Sequence, residues 1–395
     1  MLSSKFAMLR LSVLLVLAML LTACGSAPAA NAPTSAPAAT SASAPSAAAM
    51  TATEAPSAAA MTATEAPSAA AMTATEAPSA AAMMDRTGWP ETFRIGLFAG
   101  DDANATIQTV DPLRVLLEEK LGIPVEITTG TSYSAVIEAM RAGRVDAMEV
   151  GPFSYVLAVQ EAQAEAIAVA VSAPDETNAV YDESVPNAYY STIITKKGSG
   201  IATIADLKGK TFAFVDPAST SGHLAPKTGL IKQGINPDTD MQTVFAGSHP
   251  TAVLSVWNDT TQAGATFEGN LYRLAREDQI KFCPMPDGLQ GKQRSVEELK
   301  AVYDACPDGN IVIIGYSDPI PNTPFAVSSK LPESFKTAVR EVLLTIKDDP
   351  AIVKSYAQWY TYPVEDLGLD SLDAYYNSLR DIAKLLELDL KELGG

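Results

Sequence analysis

Two runs in which strand-like and helix-like stretches alternate constrain this chain more than any other feature. In the first, Phe93–Phe98 reads as a buried strand and 112–121 as a helix. Strands at 125–128, 145–150 and 167–171 then alternate with helices at 132–142 and 153–164. The second run gives strands at 191–195, 211–215, 243–245 and 263–267, with helices at 203–207, 224–233 and 251–257. A strand at 311–316 leads through Pro319, Pro321 and Pro324 to another at 325–327, and helices are predicted over 333–387. Such order predicts α/β lobes, each a mostly parallel sheet flanked by helices, with its ligand edge at the carboxyl ends of the strands. The chain crosses between the lobes twice, near 189–195 and near 316–327, as a clamshell that closes on a ligand requires. The expected division is 85–189 with 325–395 in one lobe and 190–324 in the other.

The first 84 residues do not join this pattern. Lys5 and Arg10 precede and flank an apolar run over 11–21, which ends in Leu21-Thr22-Ala23-Cys24. A basic start, an apolar stretch too short to span a bilayer comfortably and a small-residue cleavage site predict a signal peptide over 1–23. The LTAC ending resembles the bacterial lipobox, in which the cysteine becomes the lipidated first residue; Cys24 is the expected lipidation site. From there to residue 84 the chain is rich in Ala, Pro, Ser and Thr, and MTATEAPSAAA begins three times, at Met50, Met61 and Met72. Each unit holds a proline and no aliphatic stripe, so a flexible tether is expected rather than a helical supercoil. The folded body is therefore expected outside the cytoplasm, anchored to the cell membrane through an N-terminal lipid.

A formal net charge of −18 argues against nucleic acid and anionic lipid headgroups as partners. It does not exclude an anionic ligand, because a buried site answers to local dipoles. With Cys24 assigned to lipid, Cys283 and Cys306 remain in an oxidising compartment, and a disulfide between them is predicted. Both lie in a Pro-, Gly- and Lys-rich excursion at 280–310 that reads as an insertion on the second lobe.

The chemistry is concentrated in neutral hydrogen-bond donors. Ser219, Thr220 and Ser221, followed by Gly222, lie within the run from Asp216 to His223, between a strand and a helix start. Hydroxyls and free amides in that position form an oxyanion receptor. Capping accounts for one such hydroxyl but not for three in a row. His249 sits at the next strand-to-helix junction, and Tyr133 and the pair Tyr189-Tyr190 occupy a helix start and the first crossing. Composition alone leaves these tyrosines equally open to a core role. No GxxxxGK[ST], GxSxG, HxxxH or CxxC pattern occurs, so no catalytic residue, cofactor or metal is expected. A Ser219–His249 nucleophilic pair would lack an orienting acid.

Six segments resemble the substrate-binding proteins of phosphate, phosphite and phosphonate ABC transporters, the PhnD-like group of type 2 periplasmic binding proteins. They are TSYSAVIEAMRAGRVDAMEVGP (131–152), NAYYSTIITKKGSG (187–200), DLKGKTFAFVDPASTSGHLAP (206–226), FAGSHPTAVLSV (245–256), AGATFEGN (263–270) and SDPIPNTPFAV (317–327). The resemblance implies a two-lobed clamshell in which Tyr133, Tyr189, Ser219, Thr220, Ser221 and His249 hold a phosphorus oxyanion. In aminophosphonate binders of the group two carboxylates neutralise the ligand amine. Here one position falls at or beside Glu268, with Gly269 the alternative, and the other at Thr323, which has no charge. A buried ammonium without paired carboxylates is costly, so an amine-free ligand such as phosphite or methylphosphonate is expected. Glu149 and Asp318 are the alternative acidic partners. The implied role is delivery of the anion by a monomeric binding protein to a permease and its ATPase. A sensory protein of the same fold and, at longer odds, a Ser219-dependent hydrolase are the other readings.

Overall fold

The computed structural model describes residues 85–100, 102–172, 188–288 and 290–388. The predicted signal peptide, Cys24 and the tether lie outside the described residues. The chain opens with β1 (Phe93–Phe98), α1 (Ala103–Leu121), β2 (Val125–Gly130), α2 (Tyr133–Arg141), β3 (Ala147–Glu149), α3 (Pro152–Ala162) and β4 (Ala164–Ser172). After β5 (Ala188–Tyr189) come β6 (Ser191–Lys196), β7 (Thr211–Phe214), α4 (Ala225–Lys232), β8 (Gln242–Phe245), α5 (His249–Trp257) and β9 (Ala263–Phe267). Then follow α6 (Glu268–Arg276), α7 (Val296–Ala305), β10 (Ile311–Tyr316), β11 (Ile320–Pro321), β12 (Pro324–Ser328), α8 (Glu333–Thr345), α9 (Pro350–Tyr356), β13 (Gln358–Thr361) and α10 (Asn377–Leu385).

Among the described residues the strands build a six-stranded sheet, β13-β4-β12-β3-β1-β2, and a five-stranded sheet, β10-β6-β9-β7-β8. β1 is parallel to β2 and β3, and β7 to β8 and β9. The first sheet strand after each crossing runs the other way: β6 is antiparallel to β9 and β10, and β12 to β3 and β4. The reason is geometric. The crossings lie at the carboxyl edge of both sheets, so a chain arriving from the hinge must enter each sheet from the edge where its neighbours leave. The expected mostly parallel sheets are thus mixed ones with a parallel majority direction. The two crossings also pair with each other, β5 with β11, through Tyr189 opposite Ile320 and Ala188 opposite Pro321.

Each sheet is covered on both faces. In the first, Val136, Ile137, Met140, Phe153, Val156 and Leu379 pack on one face, and Phe93, Ile95, Leu117, Phe335 and Val339 on the other. The second buries Ile194, Val253, Leu271 and Ile313 on one face and Phe212, Phe214, Leu230 and Ile314 on the other. Burying each such side chain stabilises by about 1.5–3 kcal/mol, which holds the sheet edges rigid enough to present a site.

Three elements differ from the sequence reading. Helix α1 starts nine residues before Pro112, capped by the Asp102 carboxylate, which accepts from the Ala105 amide at 2.9 Å. The stretch 103–111 hides it because the buried side chains of the helix, Leu113, Leu116, Leu117 and Leu121, all follow Pro112. The region read as helical over 333–387 contains β13, set off from α9 by Ala357 in the left-handed conformation (φ 57°) and paired antiparallel with β4. The excursion at 280–310 holds α7, whose Leu299 and Val302 join the core of Ile311 and Ile313. Cys283 and Cys306 are disulfide-bonded, with Cα atoms 5.9 Å apart.

The turn from β7 to α4 leaves no room for a side chain at Gly222. Residues Thr220–Leu224 make a π turn, closed by the Leu224 amide donating to the Ser219 carbonyl at 3.1 Å. The Gly222 carbonyl accepts from the Val215 amide at 3.0 Å, and a Cβ on Gly222 would lie 2.3 Å from Cβ of Val215.

Two outcomes follow from this packing. Gly222→Ala is expected to destabilise by about 1–3 kcal/mol or more, because the clash is with a short, β-branched neighbour; an unchanged urea midpoint would count against the packing described. Replacing both Cys283 and Cys306 by Ser is expected to lower unfolding free energy by about 3 kcal/mol in the chain-entropy account. The same titration, with and without reductant, measures it.

Candidate functional site

The π turn places its three hydroxyls where the two lobes meet. Ser219 does cap, since its Oγ accepts from the Gly222 amide at 3.0 Å. Thr220 does something else: its Oγ1 accepts from the Phe153 amide at 2.8 Å, at the first turn of α3 in the other lobe. Beside it the Ser154 hydroxyl donates to the Ala218 carbonyl at 2.7 Å. The Ser221 carbonyl accepts from the Ser191 hydroxyl at 2.6 Å, which ties the turn to the first residue of β6. Tyr133 shares a side-chain hydrogen bond with Ser219, and Tyr189 with Ser221 and Thr220. Burial pushes the Tyr189 phenol up to about 12 and raises that of Tyr133 further, so both remain neutral donors at any physiological pH.

These residues open on one cavity of about 560 Å³. Tyr133, Tyr189, Ser219, Thr220, Ser221, His249 and Thr323 all line it. Helix starts converge there: Tyr133 and His249 are the first residues of α2 and α5, and Gly151 is the N-cap of α3. Helix dipoles aimed at one place favour an anion, and no lysine or arginine is among the described residues that line the cavity. His249 Nδ1 lies 3.1 Å from Thr266 Oγ1, which also accepts from Asn270 Nδ2 at 3.1 Å. In the tautomer protonated on Nε2 the ring accepts from the Thr266 hydroxyl at Nδ1, and Nε2–H is then a further donor. The ring is held edge-on against Phe267, 4.9 Å between centroids.

Glu268 stands apart from this set. Its carboxylate is buried behind the cavity wall, accepting from the Tyr316 hydroxyl at 2.8 Å and the Gly291 amide at 3.1 Å. Burial raises its pKa to about 7 against the pull of those two bonds. Gly269, the alternative position, packs against Phe267 and Gln290. Asp318 is exposed and paired with Lys232, away from the cavity lining. His223, in the same run as the hydroxyls, is also structural. Its Nδ1 bonds the Pro217 carbonyl at 2.8 Å, its ring packs between Phe214 and Phe245, and burial lowers its pKa to about 4.

Glu149 is the one charged side chain among the described residues lining the cavity. It accepts from Gln358 Nε2 at 2.9 Å, from the Tyr356 hydroxyl at 3.3 Å and from the Tyr360 hydroxyl. Desolvation raises its pKa in spite of these donors. The sequence reading missed most of this wall. Gln358, Trp359 and Thr361 come from β13, the unforeseen strand, and Gly291 from the excursion. Phe98, stacked on Tyr133 at 4.2 Å, ends β1 at the carboxyl edge, where the sheet rule alone points to ligand contacts.

Residues 95–365 match the family model described as the periplasmic phosphonate substrate-binding protein of ABC transporters. The chain is 32% identical over 190 residues to the phosphate-import protein PhnD of Mycolicibacterium smegmatis, covering 46% of this chain and 56% of that one. It is 32% identical over 163 residues to the phosphonates-binding periplasmic protein of Escherichia coli, covering 40% and 45%. These alignments span about half the length of each relative. A tetrathionate sensor histidine kinase, TtrS of Salmonella typhimurium, matches at 27% over 159 residues, 40% of this chain and 26% of that protein. Among solved structures, PhnD1 of Prochlorococcus marinus in complex with methylphosphonate superposes with a TM-score of 0.56 at 16% identity, covering 75% of this chain and 99% of that one. Its agreement is one of fold. The two-lobed architecture, the cavity between the lobes and the match over most of the body lead to one conclusion: this chain belongs to the family of periplasmic substrate-binding proteins of phosphonate ABC transporters.

Proposed function

We propose that this protein captures a small phosphorus oxyanion between its lobes and delivers it to a membrane permease driven by a cytoplasmic ATPase. In this reading the body is exported and held at the membrane by a lipid on Cys24. The observation that carries it is the convergence of Tyr133, Tyr189, Ser219, Thr220, Ser221 and His249 on one cavity whose described lining holds no cationic side chain. Neutral donors and helix dipoles hold an oxyanion reversibly, and a reversible grip suits a carrier. The phosphate-import and methylphosphonate-bound relatives support the ligand class.

The ligand we favour has no amine. Thr323 lines the cavity uncharged, Glu268 is turned behind the wall, and Glu149 is already engaged by three donors. An ammonium would share the Glu149 carboxylate with those donors, with no second carboxylate among the described lining residues to complete its neutralisation. A second reading, ligand sensing for a signalling receptor, draws support from the likeness to the tetrathionate sensor kinase. Neighbouring permease genes favour transport, and a neighbouring response regulator favours sensing.

Calorimetric titration of residues 85–395 with phosphite, methylphosphonate, aminoethylphosphonate, phosphate and sulfate tests the reading. One amine-free phosphorus anion is expected to bind tightest. Aminoethylphosphonate binding tightest, in a manner lost in Glu149→Gln, would overturn the amine-free assignment. Ser219→Ala, Thr220→Ala and His249→Ala are each expected to weaken binding by about 1.5–3 kcal/mol, the range for a charge-assisted hydrogen bond. Wild-type affinity in all three would remove the site assignment.

A further inference from the structure

The excursion between Ile280 and Asn310 touches the cavity, and one buried carboxylate fixes where it does so. Gly291 lines the cavity, and its backbone is in the left-handed region at φ 73°. Its amide is consumed by Glu268 Oε2 at 3.1 Å, so Gly291 offers a ligand neither a side chain nor a donor. It is a bare backbone wall in a lining that Phe267 shares, and the space a Cβ on Gly269 would fill is bounded by Gln290 and the Phe267 ring. Phe267 in turn holds the His249 ring.

Three further attachments hold the same segment. The buried Arg294 guanidinium grips the Asp287 carboxylate with two bonds of 2.6 and 2.8 Å. Gln293 meets both hinge crossings, through its backbone to the Tyr190 phenol and through its side chain to the Ser317 carbonyl at 3.5 Å. The Cys283–Cys306 disulfide closes the base of the excursion. Of these, only the Glu268 bond acts on the residue that faces the cavity.

We propose that Glu268 is a positioning residue that fixes Gly291 as a wall limiting the size of the ligand's organic substituent, making the disulfide-closed excursion a selectivity element of the site. The oxyanion end is held by the hydroxyls and helix starts. The wall acts on whatever the phosphorus atom carries besides oxygen. This inference rests on the phosphorus-oxyanion reading above.

The test uses Glu268→Met, which keeps the length of the side chain but removes both acceptors; Glu268→Gln would not serve, because its amide oxygen can still take the Gly291 amide while its NH2 donates to the Tyr316 hydroxyl. Tyr316→Phe is the control, because it leaves the Gly291 bond in place. The readout is the ratio of dissociation constants for phenylphosphonate and methylphosphonate, with hydrogen exchange of 290–294 in the ligand-free protein. In Glu268→Met the ratio is expected to fall at least tenfold and exchange at 290–294 to quicken at least tenfold, with Tyr316→Phe like wild type in both. The double Cys→Ser variant is expected to move the ratio in the same direction. An unchanged ratio in Glu268→Met, or an equal loss of affinity for both ligands, would overturn the selective role. If wild type bound neither phosphonate, the ligand reading and the size selection would fall together. Unchanged exchange in Glu268→Met would overturn the positioning role whatever the ligand.

Discussion

The site depends on one hydrogen bond that crosses between lobes, from the Phe153 amide to Thr220 Oγ1. It joins the first turn of α3, on one sheet, to the π turn that follows β7, on the other. With Ser154 bonded to the Ala218 carbonyl next to it, the two lobes meet through backbone groups that a helix start leaves unpaired. Because Thr220 satisfies an α3 donor, it is oriented by the opposite lobe and not only by its own turn. Its neighbours Ser219 and Ser221 are fixed by the same turn, and Tyr133 and Tyr189 by their bonds to those hydroxyls. The contact between the lobes and the donor set of the site thus share the same turn.

Charge explains why the site is made of neutral groups. The chain carries a formal charge of −18, yet the helix starts at Tyr133, Gly151 and His249 turn the ends of three helix dipoles that favour anions toward the cavity. A dipole bound into a helix loses nothing when the ligand leaves, whereas a buried lysine or arginine would be stranded without a partner. That difference favours a cleft that must both fill and empty. Glu149, the one carboxylate among the described lining residues, is covered by donors from α9 and β13, which blunts its repulsion of an anion.

Legibility in the sequence followed the physics of each segment. The alternating strands and helices of 125–172 and 191–267 stood out because both faces of each sheet are buried and the apolar period is clear. The hydroxyl run and His249 stood out because polar residues interrupt that pattern at the carboxyl edge. β13 was hidden: four residues, Gln-Trp-Tyr-Thr, are too short to show a period, and they sit between helices. With it went Gln358, Trp359 and Thr361 as cavity residues. Glu268 shows the opposite limit. The family resemblance put a ligand carboxylate at or beside it, and the side chain at the start of α6 is turned to Tyr316 and Gly291. No spacing rule reports which way a carboxylate points.

The pairing of the two crossings bears on how the clamshell moves. β5 and β11 are hydrogen-bonded to each other, so the connection between lobes is a short ribbon and not two independent strings. A ribbon twists readily about its length but resists shear, which confines the lobes to something near a single rotation. Tyr189 sits in that ribbon, opposite Ile320. A point on the axis of a rotation scarcely moves while everything farther out sweeps an arc. Because Tyr189 lies in that ribbon, a rotation about it would displace Tyr189 less than the serines or His249.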